Sequence, residues 1–265
     1  MSGVERIAAA FARAKAERRV ALIPYLCAGD PDAATTAAIL AAIAPSVDVI
    51  EIGIPYGDPL ADGPTIAAAA QRALDGGMTI DGALALARDA SREDGPPIIM
   101  FTYVNPIVQY GLERFAEAMF AAGAAGAIVP DVPLEEIGPI RSAFAPRGLA
   151  LPLLVAPTTP LERAAGIAEA SDGFVYLVSR LGVTSAQREP DFDWIAGRVA
   201  RLRERTPKPI AVGFGIATPE HVRRVSAIAD GAIVGSALID ACAGYRGDEA
   251  VARVGAFLEG LAATA

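Results

Sequence analysis

Residues 50–66 read Ile-Glu-Ile-Gly-Ile-Pro-Tyr-Gly-Asp-Pro-Leu-Ala-Asp-Gly-Pro-Thr-Ile and place a carboxylate, Glu51, inside an apolar run typical of a buried strand. Burial of an ionised carboxylate in apolar surroundings is unfavourable, or else it raises the pKa of the group. Glu51 is therefore a candidate proton donor near neutral pH. The alternative is a strand-end glutamate held by backbone amides. A second carboxylate, Asp62, follows in a loop stiffened by prolines, where a turn-forming role is the alternative.

Short β-rich runs alternate with Ala-rich amphipathic segments along the whole chain. The eight runs are residues 21–27, 47–55, 97–103, 126–130, 150–157, 173–179, 209–215 and 231–237. The helical segments between and after them include residues 32–43, 113–122, 134–144, 160–170, 194–205, 219–227 and 249–261. No G-x-G-x-x-G follows the first run, so the pattern favours an α/β fold of the (β/α)8 TIM barrel type over a doubly wound sheet. We expect one domain over residues 1–265, with an extra N-terminal helix in residues 4–19.

Composition excludes several classes of partner. The net charge of −8 argues against nucleic acid and anionic membranes, and no apolar run reaches the ~20 residues that span a bilayer. Cys27 and Cys242 match no metal-ligand or redox spacing, so we interpret them as buried small residues in a reducing compartment, which predicts a cytoplasmic protein.

The barrel rule places active groups at the carboxyl ends of the strands. Because side chains alternate along a strand, Ile50 and Ile52 face the helices and Glu51 points into the barrel mouth. The only lysines, Lys15 and Lys208, lie on the N-terminal helix and before the seventh strand, which argues against Schiff-base chemistry. Acid and base work then falls to Asp, Glu and Tyr.

Other candidate residues leave alternatives open. His221, the single histidine, lies in the first turn of a helix, and we interpret it as a solvated helix residue rather than a catalytic one. Tyr176, in the sixth strand, suits core packing as well as a catalytic hydrogen bond. The residues exclude a zinc site built from His or Cys but leave open a magnesium site of carboxylates and waters.

Glycine turns follow the seventh and eighth strands, at Gly213-Phe214-Gly215 and Gly235-Ser236. Barrels commonly bind phosphate through backbone N–H groups at this place, so their pairing favours a phosphate site. Residues 180–190 form a long polar connection that is either a closing lid or a plain surface loop.

Five segments together resemble the tryptophan synthase α subunit family. They are residues 28–31 (AGDP), 51–64 (EIGIPYGDPLADGP), 130–133 (PDVP), 176–184 (YLVSRLGVT) and 213–216 (GFGI). The resemblance covers nearly the whole chain in order. It implies retro-aldol cleavage of indole-3-glycerol phosphate to indole and glyceraldehyde 3-phosphate, without metal or cofactor in this chain. It also implies a β subunit that holds pyridoxal phosphate and receives the indole, in an α2β2 tetramer.

The resemblance implies roles for individual residues. Glu51 matches the general acid and base, Asp62 the carboxylate that stabilises positive charge at the indole nitrogen, and Tyr176 and Thr184 supporting positions. Phosphate-binding positions are matched by Ser185, Gly215, Gly235 and Ser236. The pocket around the indole ring is matched by Tyr25, Phe101, Tyr103, Ile128, Phe214 and Ile233. The partner interface or the mobile loops are matched by Asp58, Pro59, Asn105, Pro133 and Arg180.

Three residues depart from the family pattern: Gly57 replaces a serine, Ser185 a glycine and Leu181 a small residue. Two rival functions also stand beside the implied one. The first is another phosphate-binding barrel enzyme, although such relatives usually depend on a lysine that no strand end here supplies. The second is a catalytically silent barrel that serves as an allosteric or tunnel-capping partner of the β subunit, against which the presence of Glu51 and Asp62 argues.

Overall fold

The computed structural model describes residues 1–179 and 189–265. Its eight-stranded sheet has the order β4-β3-β2-β1-β8-β7-β6-β5, and the paired strands are parallel. The strands are Ala21–Cys27 (β1), Ile50–Gly53 (β2), Ile98–Phe101 (β3), Gly126–Ile128 (β4), Leu153–Val155 (β5), Val175–Val178 (β6), Ile210–Gly213 (β7) and Gly231–Val234 (β8). A parallel bridge between Gly126 and Ala150 joins the two edges. The predicted (β/α)8 barrel is confirmed, and each strand lies within its predicted run.

Helices surround the barrel. They are Gly3–Ala16 (α1), Ala33–Ile43 (α2), Pro64–Asp75 (α3), Ile80–Ala90 (α4), Val104–Tyr110 (α5), Leu112–Ala121 (α6), Gly138–Phe144 (α7), Leu161–Ala170 (α8), Phe192–Arg203 (α9), Pro219–Ser226 (α10), Ser236–Cys242 (α11) and Gly247–Ala262 (α12). The predicted N-terminal helix is α1. It begins with a capping box in which Ser2 and Glu5 bond each other's backbone N–H groups. Its buried Phe11 packs on Phe174, with ring centroids 5.5 Å apart, so the helix belongs to the fold.

The apolar core forms two clusters, one inside the barrel and one between the barrel and the helices. Ile50, Ile52 and Ile54 belong to the outer cluster. Val49 belongs to the inner cluster, together with Tyr25 of the neighbouring strand. Since Glu51 shares the parity of Val49, its side chain points into the barrel, as the alternation predicts.

Lys208 precedes β7 and lies at the amino end of that strand, away from the barrel mouth. Lys208 donates hydrogen bonds from Nζ to the carbonyl oxygens of Glu169, at 2.6 Å, and Ser171, at 2.5 Å.

Cys27 and Cys242 are buried and carry free thiols, which confirms their interpretation as small core residues.

Candidate active site

A pocket opens among the carboxyl ends of β1, β2, β3, β6, β7 and β8. The space between its walls, part of which is open to solvent, is about 510 Å³. Its lining consists of Tyr25, Glu51, Asp62, Ile66, Phe101, Tyr176, Phe214, Gly215, Ile216, Ile233, Gly235, Ser236 and Ala237. The structure therefore brings together both carboxylates, both glycine turns and most of the predicted ring-binding residues. Ile66, Ile216 and Ala237 were not predicted, although each lies within or next to a segment that the sequence singled out.

Glu51 is the most deeply buried ionisable residue among those that line the pocket. Its side chain belongs to β2, and the residue is 1% exposed. The Oε1 atom has no hydrogen-bond partner within the described residues. Burial raises the pKa of Glu51 from the ordinary value of 4.5 to about 8. The carboxyl group is thus protonated at neutral pH and has an oxygen free to meet a ligand.

Asp62 lies in the loop between β2 and α3 and is partly buried. Burial raises its pKa to about 6, and a hydrogen bond from Tyr103 opposes that rise. The Tyr103 hydroxyl also accepts a hydrogen bond of 3.1 Å from the N–H of Ala61. Tyr103 thereby fixes the loop and favours the ionised form of Asp62, so the pocket holds one protonated and one ionised carboxyl group at pH 7.

Two tyrosines form part of the pocket wall. Tyr25 and Tyr176 are buried, and burial is the largest cause that raises the pKa of each phenol, with the nearby Glu51 and Asp62 adding to it. Tyr25 meets Phe101 edge to face at 5.7 Å between ring centroids, and Tyr176 meets Phe214 edge to face at 6.1 Å. Such contacts give flat apolar walls suited to an aromatic ligand.

The turns after β7 and β8 present backbone to the pocket. Phe214 has φ of 72° and Gly215 has φ of 83°, so two consecutive residues adopt left-handed conformations. Gly235 precedes the first residue of α11, Ser236, which is 9% exposed. Both turns thus bring peptide groups to the same side of the pocket.

The interpretation of His221 as a solvated residue was wrong. The residue is only 7% exposed, because its ring packs against Phe192, at 5.6 Å between centroids, and contacts the turn after β7. Residue type and helical position carried no signal of this burial.

The remaining predicted residues lie outside the pocket lining. Ile128 is fully buried inside the barrel, and Tyr103 is buried and hydrogen-bonded to Asp62. Asp58, Asn105 and Pro133 are exposed and Pro59 is partly buried. Arg180, Thr184 and Ser185, together with Leu181, lie outside the described residues, so their predicted roles stay predictions.

Residues 1–179 and 189–265 contain neither a cluster of metal-ligating side chains nor a membrane-spanning helix. No group of three or more His, Cys, Asp or Glu side chains in these ranges is placed to hold a metal ion. Among the same residues, no helix has both the length and the apolar character needed to cross a bilayer.

Comparisons with known proteins agree with this geometry. The profile of the family described as tryptophan synthase alpha chain matches residues 11–264. The tryptophan synthase alpha chain of Prochlorococcus marinus is 51% identical over 235 residues, which cover 88% of this chain and 85% of that protein. The one from Thermosynechococcus vestitus is 47% identical over 264 residues, which cover 97% of each. A structure of Mycobacterium tuberculosis tryptophan synthase has a TM-score of 0.88 at 36% identity, over 98% of this chain and 97% of that chain. The chain belongs to the tryptophan synthase alpha chain family and is a lyase of tryptophan biosynthesis.

Proposed function

We propose that Glu51 and Asp62 carry out the retro-aldol cleavage of indole-3-glycerol phosphate to indole and glyceraldehyde 3-phosphate in this pocket. The observation that carries the proposal is the buried Glu51 carboxyl group, whose Oε1 is unpartnered within the described residues and which shares the pocket with Asp62. A buried, protonated carboxyl group without a structural partner is unfavourable for stability and is typical of acid–base catalysis.

Glu51 acts first as an acid and then as a base. With a pKa of about 8, it holds a proton at neutral pH and transfers it to indole C3. The resulting carboxylate takes the proton of the glycerol hydroxyl next to the scissile bond. The carbon–carbon bond breaks, its electron pair restores the aromatic indole, and the hydroxyl-bearing carbon becomes the aldehyde of glyceraldehyde 3-phosphate. Glu51 ends protonated, so the step is balanced without water or a cofactor.

Asp62 stabilises the cation that protonation of C3 creates. The positive charge then resides at the indole nitrogen, and an ionised carboxylate next to it lowers the energy of that state. A pKa of about 6 keeps Asp62 ionised at pH 7, and the Tyr103 hydroxyl holds the carboxylate in place. Unequal environments thus give the two carboxyl groups different tasks.

Substrate binding divides between the two sides of the pocket. We assign the phosphate to backbone N–H groups near Gly215, Gly235 and Ser236, which line the pocket together. The indole ring lies between the aromatic walls, with Ile233 among its contacts. Ile128 supports the indole pocket from within the barrel core and does not contact the indole ring directly.

Membership of the alpha chain family implies a β-subunit partner. We further propose an α2β2 assembly in which the β subunit holds pyridoxal phosphate. Asp58, Pro59, Asn105 and Pro133 follow the carboxyl ends of β2, β3 and β4, the same end of the barrel as the pocket mouth. Exposed Leu60 and Val108 add apolar surface to this end.

We also propose that the protein is cytoplasmic and that residues 1–265 form a single domain.

The test is an assay of indole formation from indole-3-glycerol phosphate, with and without a tryptophan synthase β subunit. Glu51→Gln preserves shape but removes the proton donor, and we expect a loss of roughly 10³-fold or more in kcat. Asp62→Asn is expected to lose less, and Asp94→Asn, at an exposed position before β3 and at the opposite end of the barrel, serves as the matched control. Full activity of Glu51→Gln would remove Glu51 from the mechanism. A wild-type chain inactive even with the β subunit would instead support the silent barrel.

A further inference from the structure

The ring of His221, on α10, connects two segments at the mouth of the barrel. Its Nδ1 lies 3.3 Å from the backbone nitrogen of Ala217 and 3.2 Å from the carbonyl oxygen of Gly215. Its Nε2 lies 3.2 Å from both carboxylate oxygens of Glu189, which precedes α9. The imidazole therefore joins the turn after β7 to the segment before α9.

Nδ1 lies near one donor and one acceptor, the N–H of Ala217 and the carbonyl oxygen of Gly215, so its role depends on which ring nitrogen carries the proton. Without a proton Nδ1 accepts from Ala217, and with one it donates to Gly215. In either case the ring is tied to the turn after β7, while Nε2 faces the carboxylate of Glu189.

The turn that His221 holds is conformationally demanding. Phe214 and Gly215 both have positive φ angles in the left-handed region. This conformation is sterically unfavourable for Phe214 because, unlike glycine, it has a Cβ atom. His221 fixes the turn twice, since its ring bonds Ala217 or Gly215 and its backbone N–H donates to the Thr218 hydroxyl at 3.1 Å. Gly215 and Ile216, which directly precede Ala217, line the pocket.

We infer that His221 is a positioning residue that pre-organises the turn after β7 for the phosphate group, with Glu189 orienting its ring. This inference rests on the proposed phosphate site at Gly215, Gly235 and Ser236. Pre-organised backbone donors bind an anion without the cost of ordering them at the moment of binding. His221 itself touches no substrate.

The test compares binding of glycerol 3-phosphate with binding of glycerol, by calorimetry, because this pair isolates the phosphate group. His221→Phe keeps an aromatic ring against Phe192 but offers no hydrogen bond to Ala217 or Gly215. We expect it to weaken glycerol 3-phosphate binding about fivefold to tenfold, the effect of one lost hydrogen bond. His221→Asn keeps an amide group near the Nδ1 position and is expected to stay within about twofold of wild type. Glu220→Gln, an exposed neighbour on α10, is the control for general weakening of the helix.

Steady-state kinetics supply a second readout. The phosphate is bound equally in the ground state and in the transition state, so a weaker phosphate site raises KM and leaves kcat unchanged. For His221→Phe we therefore expect a higher KM for indole-3-glycerol phosphate and a kcat within about twofold of wild type. Equal affinities of wild type and His221→Phe, or equal losses in the Phe and Asn variants, would overturn the positioning role while leaving the phosphate site intact. A wild-type protein that binds glycerol 3-phosphate no better than glycerol would overturn the proposed phosphate site itself, and the inference with it.

Discussion

The hydroxyl of Tyr25 occupies the space where a side chain at Gly53 would begin, since a Cβ built on Gly53 lies 2.1 Å from Tyr25 Oη. The same relationship recurs across the barrel, where a Cβ on Gly213 lies 2.3 Å from Tyr176 Oη. In both pairs the glycine lies two positions beyond the residue that is paired with the tyrosine. Each tyrosine thus leans across a glycine of the next strand, and the glycine admits its ring into the pocket wall.

Gly53→Ala is expected to displace the Tyr25 ring. Because the new methyl group overlaps Oη and two ring carbons, we expect a loss of about 1–3 kcal/mol in the free energy of unfolding. Activity is expected to fall as well, since the displaced ring moves against Phe101 and into the pocket. Urea unfolding and the indole assay measure both effects. Gly57→Ala is the control, because a Cβ there meets only Leu74 Cδ1, at 4.0 Å. Equal stability of the two variants would refute the steric argument.

Glu51→Gln is expected to stabilise the fold increasingly as pH rises. Below pH 4.5 the Glu51 carboxyl is protonated in both folded and unfolded chains, so its ionisation contributes nothing to stability. Between pH 4.5 and about 8 only the unfolded chain ionises this group, which lowers the stability of the wild type as pH rises. The advantage of the glutamine variant therefore grows through this window and levels off above about pH 8, after reaching a few kcal/mol. Denaturant unfolding at pH 5, 7 and 9 measures it, and an advantage independent of pH would contradict the assigned pKa.

The pH dependence of kcat/KM is expected to be bell-shaped, with apparent pKa values near 6 and 8, because Asp62 acts ionised and Glu51 acts protonated. Tyr103→Phe removes the hydrogen bond that lowers the pKa of Asp62, so the acidic limb is expected to move upward by roughly 0.5 to 1 pH unit. Tyr56→Phe is the matched control: the Tyr56 ring packs 5.5 Å from that of Tyr103, but its hydroxyl pairs with Asn105. If the acidic limb of the Tyr103→Phe profile stays at the wild-type pH, a group other than Asp62 determines that limb.

Gly57→Ser introduces the serine that the family resemblance implies at this position, and we expect it to leave the isolated chain nearly unchanged. Gly57 is exposed, and the open space around its Cβ position accommodates a serine. We expect the free energy of unfolding to stay within about 0.5 kcal/mol and basal indole formation to stay within about twofold. Thermal unfolding and the indole assay without the β subunit check this. A larger loss would mean that the loop needs backbone freedom at this position.

The sequence predicted the barrel because the periodicity of short strands is a local property. Alternation at Ile50, Glu51 and Ile52 was sufficient to place the glutamate inside, and the structure confirms that placement. The helical segments named from the sequence did not include α3, α4, α5 or α11. Of these, α5 and α11 have seven residues each, too few to show much helical periodicity. His221 was misplaced for another reason: its burial depends on Phe192 and on the turn after β7, neither of which adjoins it in sequence.

By itself, the sequence determined the barrel, the inward direction of Glu51 and the absence of a lysine at the carboxyl ends of the strands, since these follow from alternation and residue counts. The tertiary structure decided the protonation states and the support of the site. Desolvation of Glu51 depends on every strand around it, and the bond from Tyr103 to Asp62 joins groups on different loops. Residues 50–66 carry both carboxylates, but only the folded barrel makes one of them an acid and leaves the other an anion at neutral pH.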